Sequence, residues 1–313
     1  MTTFPVCVPR DKAMPWVLID NRLFELTEPL GDGGAARVYA HPKDKRVAVK
    51  LYDRPEELDP RRVTAMQSNL PSPLWVRNGT PTLAIPWGLV YEPGVPNPVG
   101  VSMARVRGAV PLSGVVNPLN RIPRISPRWL LRTATSFVLR VYYLHWSGYV
   151  IGDIQLANSL ANRFGQVTLI DLDSLQFETM AGEFFPALYG VPMFQAPEFQ
   201  GADLSRVRRT AHSDVFSAAI VVHMLLRGGE HPFNCQYRGK GRRPDLVTRI
   251  REGWWPDSGR HRDFLPPRGA PEFSTLPKEL QELFRRTFCQ EGHRDPTQRP
   301  SIAELVSCLE ELD

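Results

Sequence analysis

The sequence predicts an α+β protein in which an antiparallel sheet with one helix precedes a mainly helical part. Three observations lead there. Short alternating apolar runs fill residues 24–52, an amphipathic stretch with helical spacing covers Pro127 to Trp146, and a second apolar helix opens at His212. Strands gathered toward one end of a chain and helices toward the other define the α+β class. With 313 residues, 42% of them hydrophobic, the chain can bury a sizeable core, and its length fits one large domain or two lobes sharing an interface.

Composition excludes several classes. The net charge of +5 comes from 38 basic against 33 acidic residues, a small and dispersed excess that does not imply nucleic-acid binding. Cys7, Cys235, Cys289 and Cys308 form no CxxC pair, which argues against a zinc site or a disulfide framework and fits a reducing interior. His231 and Cys235 lack the further spaced ligands of a zinc site. The opening MTTFPVCVPRDKAMPW has no basic segment leading into an apolar run, and the longest apolar stretch, Ser217 to Leu226, is half of the roughly 20 residues a membrane span needs. A cytoplasmic protein with no membrane and no nucleic-acid partner is expected.

Taken in order, residues 1 to 18 read as an extension. FELTEPLG, ARVYAH and KRVAVKLY then read as three antiparallel strands. The turn between the first two, Gly31-Asp32-Gly33-Gly34-Ala35-Ala36-Arg37-Val38, matches G-x-G-x-x-G-x-V except at Ala36. It is either an ordinary Gly-rich hairpin or a loop whose N–H groups approach phosphate oxygens. Lys50 ends the strand Val47-Ala48-Val49-Lys50. A helix is expected from Pro55 to Leu70, with Val63, Met66 and Leu70 on its apolar face and Glu56 and Glu57 in its first turn. PTLAIPWGLVYEPG and NPVGVSMARVRG supply two further strands. The helix from Pro127 buries Leu130, Leu131, Ala134, Phe137, Val138, Val141 and Leu144, and Gly148 fits a C-terminal stop.

The chemistry concentrates in IGDIQLANSLANRFGQVTLIDLDS, residues 151–174, which places Asp153, Asn158 and Asp171 in that order, the last at the end of a strand-like run. A carboxylate to orient a hydroxyl and an oxygen-bearing pair to hold metal ions are what phosphoryl transfer from Mg-ATP requires. Downstream lie Ala196-Pro197-Glu198, the helix opening His212-Ser213-Asp214-Val215-Phe216-Ser217, and Asp295-Pro296-Thr297-Gln298-Arg299-Pro300-Ser301.

In this order, over residues 24 to 311, these segments resemble the protein kinase superfamily: the Gly-rich loop, VAIK, HRDLxxxxN, DFG, APE, SDVWS and DPxxRPS. The variants GDIQLAN and IDLDS look most like divergent bacterial kinase-like proteins found beside PP2C-type phosphatases and von Willebrand A-type proteins. The resemblance implies a bilobal fold, with residues 1–18 as an extension, 19–103 as the N-lobe and 104–313 as hinge and C-lobe. It implies ATP and Mg²⁺ as cofactors and a protein substrate, with von Willebrand A-type and PP2C-type proteins as partners. Gly31, Gly33, Gly34, Val38, Ala48, Lys50, Met103, Ala104 and Val106 would form the nucleotide site. Asp153 would orient the hydroxyl with Lys50 neutralising phosphates, and Asn158 and Asp171 would hold the metal. Asp214 would buttress the loop backbone or simply cap its helix, and Arg299 would pair with Glu198.

Departures accompany the likeness. No acidic partner for Lys50 is assigned, because Glu56 and Glu57 follow it too closely and the more familiar spacing falls on Gln67. Gly152 stands where an arginine is usual, so a phosphorylated loop lacks its cationic anchor. Gln155 and Val191 stand where serine/threonine kinases carry a lysine and a threonine, and Asp173 replaces a glycine, as a ligand or a turn cap. Three functions therefore stand side by side: a protein kinase acting on Ser/Thr hydroxyls, a nucleotide-binding pseudokinase scaffold, and a small-molecule kinase. The basic runs Tyr237–Arg243 and Arg206–Arg209 read as solvated loops or as docking sites for an acidic partner.

Overall fold

A computed structural model describes residues 14–32, 34–69, 79–116 and 125–312. Its contacts divide the chain into two compact units. One takes the described residues up to Asn69 together with Pro86–Arg105, and the other takes 79–85 and everything described from Val106 onward.

The first unit is a sheet with strand order β2-β1-β6-β7-β5-β4-β3 among the described residues. Its strands are β1 Trp16–Ile19, β2 Arg22–Glu25, β3 Pro29–Asp32, β4 Ala36–Ala40, β5 Val47–Tyr52, β6 Gly88–Tyr91 and β7 Pro98–Ala104, and every pairing is antiparallel. The β1–β2 hairpin turns on Asp20 and Asn21, at φ 49° and 59°. A two-residue turn of the primed kind needs positive φ at both centres, which short polar side chains tolerate. Residues 16–18 thus belong to the sheet, although the sequence pattern groups them with an extension; residues 1–13 of that extension lie outside the described residues. The run FELTEPLG is two strands rather than one, because Pro29 carries no N–H to continue the first. Val17, Ile19, Phe24, Leu26, Tyr39, Val49, Leu51, Val90 and Val99 form the core on one face.

The expected helix from Pro55 to Leu70 is a 3₁₀ turn, Pro55–Glu57, followed by α1 Pro60–Asn69. Pro60 clashes with a preceding helical turn but suits a first helical position, where the Asp59 carboxylate accepts the Arg61 N–H at 3.0 Å. Val63 and Met66 are buried as their spacing predicts, while Leu70 lies outside the described residues.

The second unit is mainly helical. It contains β8 Ala109–Pro111, α2 Leu112–Val116, α3 Pro127–Trp146, β9 Ser159–Asn162, β10 Val167–Leu169, β11 Phe177–Glu178, β12 Phe184–Phe185 and α4 Ala211–Leu226. Then follow β13 Gln236–Tyr237, α5 Leu246–Glu252, β14 Phe264–Leu265, α6 Lys278–Phe288, α7 Gln290–Arg294 and α8 Ile302–Leu312. Helix α3 begins where Ser126 accepts the Trp129 N–H at 3.1 Å, and its apolar stripe from Ala134 to Leu144 is buried. Helix α4 is buried all round from Ser213 to Leu225, as expected of a helix apolar on every face. Phe216, Phe233 and Trp255 each meet Phe288 with ring centroids within 5.7 Å. No helix among the described residues is long and apolar enough to cross a membrane.

Two buried histidines make this unit acid-sensitive. His231 accepts the Phe233 N–H at Nδ1, which leaves Nε2–H to donate to the Met193 carbonyl at 2.8 Å; burial pushes its pKa down to about 4. His223 lies between the Glu230 carbonyl and Arg227, and burial holds it well below the usual range. The unfolded chain protonates such rings near pH 6.5 while the folded chain does not, so stability is full above that pH and falls as pH drops toward 4. For His231 a loss of about 1.5 kcal/mol is expected between pH 6.5 and 5, and His223 acts in the same direction. Urea unfolding midpoints across that window would show it, and a flat profile would exclude neutral buried rings.

Candidate active site

In the first unit, strand register gathers four of the expected residues on one face. Val38 pairs with Lys50 and Ala48 pairs with Met103, and Ala48 and Lys50 are two apart on β5. Directly opposed positions and i, i+2 positions share a sheet face, here the face opposite Val49 and Leu51. Ala104, opposite Val47, closes β7, and Val106 opens the longer stretch of the second unit. Between β5 and β7, Gly100 is packed so tightly on the Lys50 carbonyl and Leu51 that a Cβ would clash. Gly31 and Gly34 are different: a Cβ at either would meet nothing within 4 Å among the described residues, and neither has positive φ. The packing of the described residues does not require glycine there. Gly33 lies outside the described residues.

The Lys50 ammonium sits over the Tyr52 ring, 5.0 Å from its centroid. Glu57 is engaged by Arg54 at 2.5 Å, and Glu56 and Gln67 are exposed.

In the second unit, Asp153, Asn158 and Asp171 line one cleft with Phe137, Ile151, Gln155 and Leu172. The local sequence explains why. Ile151, Ile154 and Leu156 are buried, and the polar residues between them face the cleft. Asp153 Oδ2 accepts from the side-chain amides of Gln155 at 2.9 Å and Asn158 at 3.0 Å, while its buried Oδ1 is engaged by neither amide. Desolvation, reinforced by the nearby negative charge of Asp171, pushes the Asp153 pKa up, and the two amides and the backbone N–H of Val191 pull against that shift. The Asn158 carbonyl accepts the Ile170 N–H at 3.0 Å, so the loop is tied directly to the approach to Asp171. Segment 82–84 pairs alongside Leu169 and braces the same strand: Leu169 N–H donates to the Thr82 carbonyl and Ala84 N–H to the Leu169 carbonyl. Asp171 takes the left-handed conformation, φ 61° and ψ 41°, and Leu172 is buried behind it.

Asp214 holds the loop from below. Its carboxylate, 1% exposed, accepts the N–H groups of Ile151 at 2.6 Å and Gly152 at 2.9 Å and meets His145 Nε2 at 2.9 Å. It serves as a buttress, and no side-chain cap of α4 is present. His145, at the end of α3, gave no signal in the sequence beyond its place in a helix.

Arg209 is the residue that sequence reasoning misplaced. The basic run 206–209 is solvated only in part: Arg206, paired with Asp203, and Arg208, paired with Glu178 and stacked on Phe184, are exposed, whereas Arg209 is buried. The Arg209 guanidinium donates to the carbonyls of Gly152 and Tyr189, so a cation does stand beside Asp153 although Gly152 has replaced the usual arginine. Burial lowers the Arg209 pKa, and the charges of Asp214 and Asp153 oppose that shift. Farther away, Arg299 forms the expected two-pronged pair with Glu198, both contacts at 2.7 Å.

An acid and an amide oxygen beside a second acid suit a divalent cation, because the Asn158 nitrogen is committed to Asp153 and its oxygen remains as donor. Among the described residues no cluster of three or more His, Cys, Asp or Glu could hold a metal by itself. The donor set therefore fits a metal whose remaining ligands come from water and phosphate.

A mixed fold with an antiparallel sheet, and a buttressed Asp–Asn–Asp site in its helical part, is compatible with a protein-kinase-like protein. Known proteins agree: the chain is 26% identical over 301 residues to Protein kinase YegI of Escherichia coli K12, covering 93% of this chain and 45% of that protein. It is 28% identical over 222 residues to Protein kinase YegI of Escherichia coli O157:H7, covering 68% of this chain and 34% of the relative. The chain thus spans less than half the length of these relatives. No family model matches it.

Proposed function

We propose that this chain is an ATP-dependent protein kinase that transfers the γ-phosphate of Mg-ATP to a Ser or Thr hydroxyl of a partner protein. The observation that carries the reading is the convergence of Asp153, Asn158 and Asp171 in one cleft on a loop held by Asp214. Mg-ATP supplies the transferred phosphoryl group and the cation that offsets its charge. Asn158 and Asp171 would hold the metal, and Lys50 and the turn from Gly31 to Gly34 would hold the phosphates, Val38, Ala48, Met103, Ala104 and Val106 lining the base. The open space at Gly31 and Gly34 suits close approach of a ligand to the backbone.

Asp153 orients the acceptor hydroxyl and takes its proton at Oδ1, the oxygen not held by the Gln155 and Asn158 amides. Its raised pKa makes it a better proton acceptor than an ordinary carboxylate. Gln155 and Asn158 fix the carboxylate plane through Oδ2. In this reading residues 19–103 and 104–313 act as the two lobes, the setting is cytoplasmic, and the partners are a protein substrate with von Willebrand A-type and PP2C-type proteins.

A second reading, a nucleotide-binding scaffold without efficient transfer, is favoured by Gln155, whose neutral amide rather than an ammonium meets Asp153 Oδ2 at 2.9 Å, so that this position brings no cation to a transferred phosphate. Intact-mass measurement of phosphate incorporation, into the protein and a generic acceptor, separates the two. Incorporation that requires Mg²⁺ and is lost in Asp153→Asn supports the kinase. Saturable ATP binding with no incorporation at high protein concentration supports the scaffold.

A further inference from the structure

We propose that Arg209 is a positioning residue that clamps the Asp153 loop to the segment through Tyr189, so that the two are assembled without modification of that segment. The proposal rests on the phosphotransferase reading above.

The guanidinium reaches two segments far apart in sequence. It donates to the Gly152 carbonyl, immediately before Asp153, and to the Tyr189 carbonyl at 2.6 Å. Small residues make room for it. A Cβ on Gly152 would lie 2.7 Å from Arg209 and from the Ala187 methyl, and one on Gly190 would lie 2.9 Å from Arg209. Gly152 also sits at φ 75°, a backbone that other residues rarely adopt. The loop is shaped around the cation rather than merely beside it.

Arg209 is itself fixed at its backbone. The Gln176 side chain accepts the Arg209 N–H at 2.9 Å and donates to the Arg209 carbonyl at 2.8 Å, and Gln176 pairs with Val150 through both backbone bonds. Four segments, at 150–153, 176, 189–190 and 209, therefore meet in one network. The carboxylates of Asp153 and Asp214 flank it, so the buried cation is compensated. Because both terminal nitrogens are already engaged by carbonyls and the remaining donor, Nε, is buried, the arrangement needs no phosphate on Ser174, Thr179 or Tyr189 to complete it.

Arg209→Met and Arg209→Lys should be compared with the parent by backbone hydrogen exchange and steady-state phosphate transfer. Exchange of the 150–153 and 187–191 amides should rise together in Arg209→Met by at least tenfold, with the α4 amides of 215–225 unchanged. Lysine keeps the charge but lacks the planar fork whose two nitrogens reach separate carbonyls, so Arg209→Lys should be intermediate; it also serves if the methionine variant fails to fold. In transfer, kcat should fall 10- to 100-fold with KM for ATP unchanged, and the parent freed of phosphate should be as active as the protein as isolated. Unchanged exchange in both variants, or activity that appears only after phosphate enters residues 174–191, would overturn the clamp. If the parent transfers no phosphate at all, the kinase reading fails while the exchange result still decides the role of Arg209.

Discussion

On the proposed kinase reading, replacing Asp171 by asparagine should lower phosphate transfer by on the order of 10²–10³ or more while leaving the chain folded. Asp171 lies in the left-handed region, which asparagine tolerates better than almost any residue except glycine, so the backbone survives the change. What is lost is the anionic oxygen. The nearby Asp153 also loses a repelling neighbour, which relieves part of the electrostatic strain in the folded cleft. A melting temperature equal to or above that of the parent, together with lost transfer, is the expected pair of results. Transfer retained would remove Asp171 from the metal site, and a large drop in melting temperature would make its role structural.

Arg299→Met destabilises the helical unit by about 3–5 kcal/mol. The arginine side chain is fully buried and makes four strong contacts: two with Glu198, one from Nε to the Gly292 carbonyl at 2.7 Å, and one to the His212 carbonyl at 3.0 Å, with Phe216 beneath the guanidinium. Methionine fills the volume but leaves Glu198, only a quarter exposed, as an anion without its cation and removes the donors from two carbonyls. A fall in the thermal midpoint on the order of 10 °C should follow. Arg299→Lys should recover little, since an ammonium cannot reproduce the planar fork. A loss under about 1 kcal/mol in the methionine variant would show that Glu198 finds water or another partner, as exposed ion pairs do.

The sequence by itself determined the order of elements and which polar residues stand together in the cleft. Helix α3 followed from its apolar spacing, and Asp153, Asn158 and Asp171 stood out because few structures need two acids and an amide at that separation around a strand. The β1–β2 hairpin was legible in Asp20-Asn21 between two alternating runs, a turn signal overshadowed by its nearness to the chain start. The break before α1 was legible in Pro60.

Tertiary structure alone decided the rest. Val38, Lys50, Ala48 and Met103 share a face only because three strands pair in one register, which no local pattern specifies. Arg209 reads as one of a solvated basic run, and only the fold brings Gly152, 57 residues away, and Tyr189, 20 residues away, onto its guanidinium. His145 and Asp214, 69 residues apart, meet for the same reason. Local propensity and periodicity record what a residue does to its own turn or strand. A buried charge is stabilised by partners that chain topology delivers from elsewhere, and those partners leave no trace in the spacing of neighbouring residues.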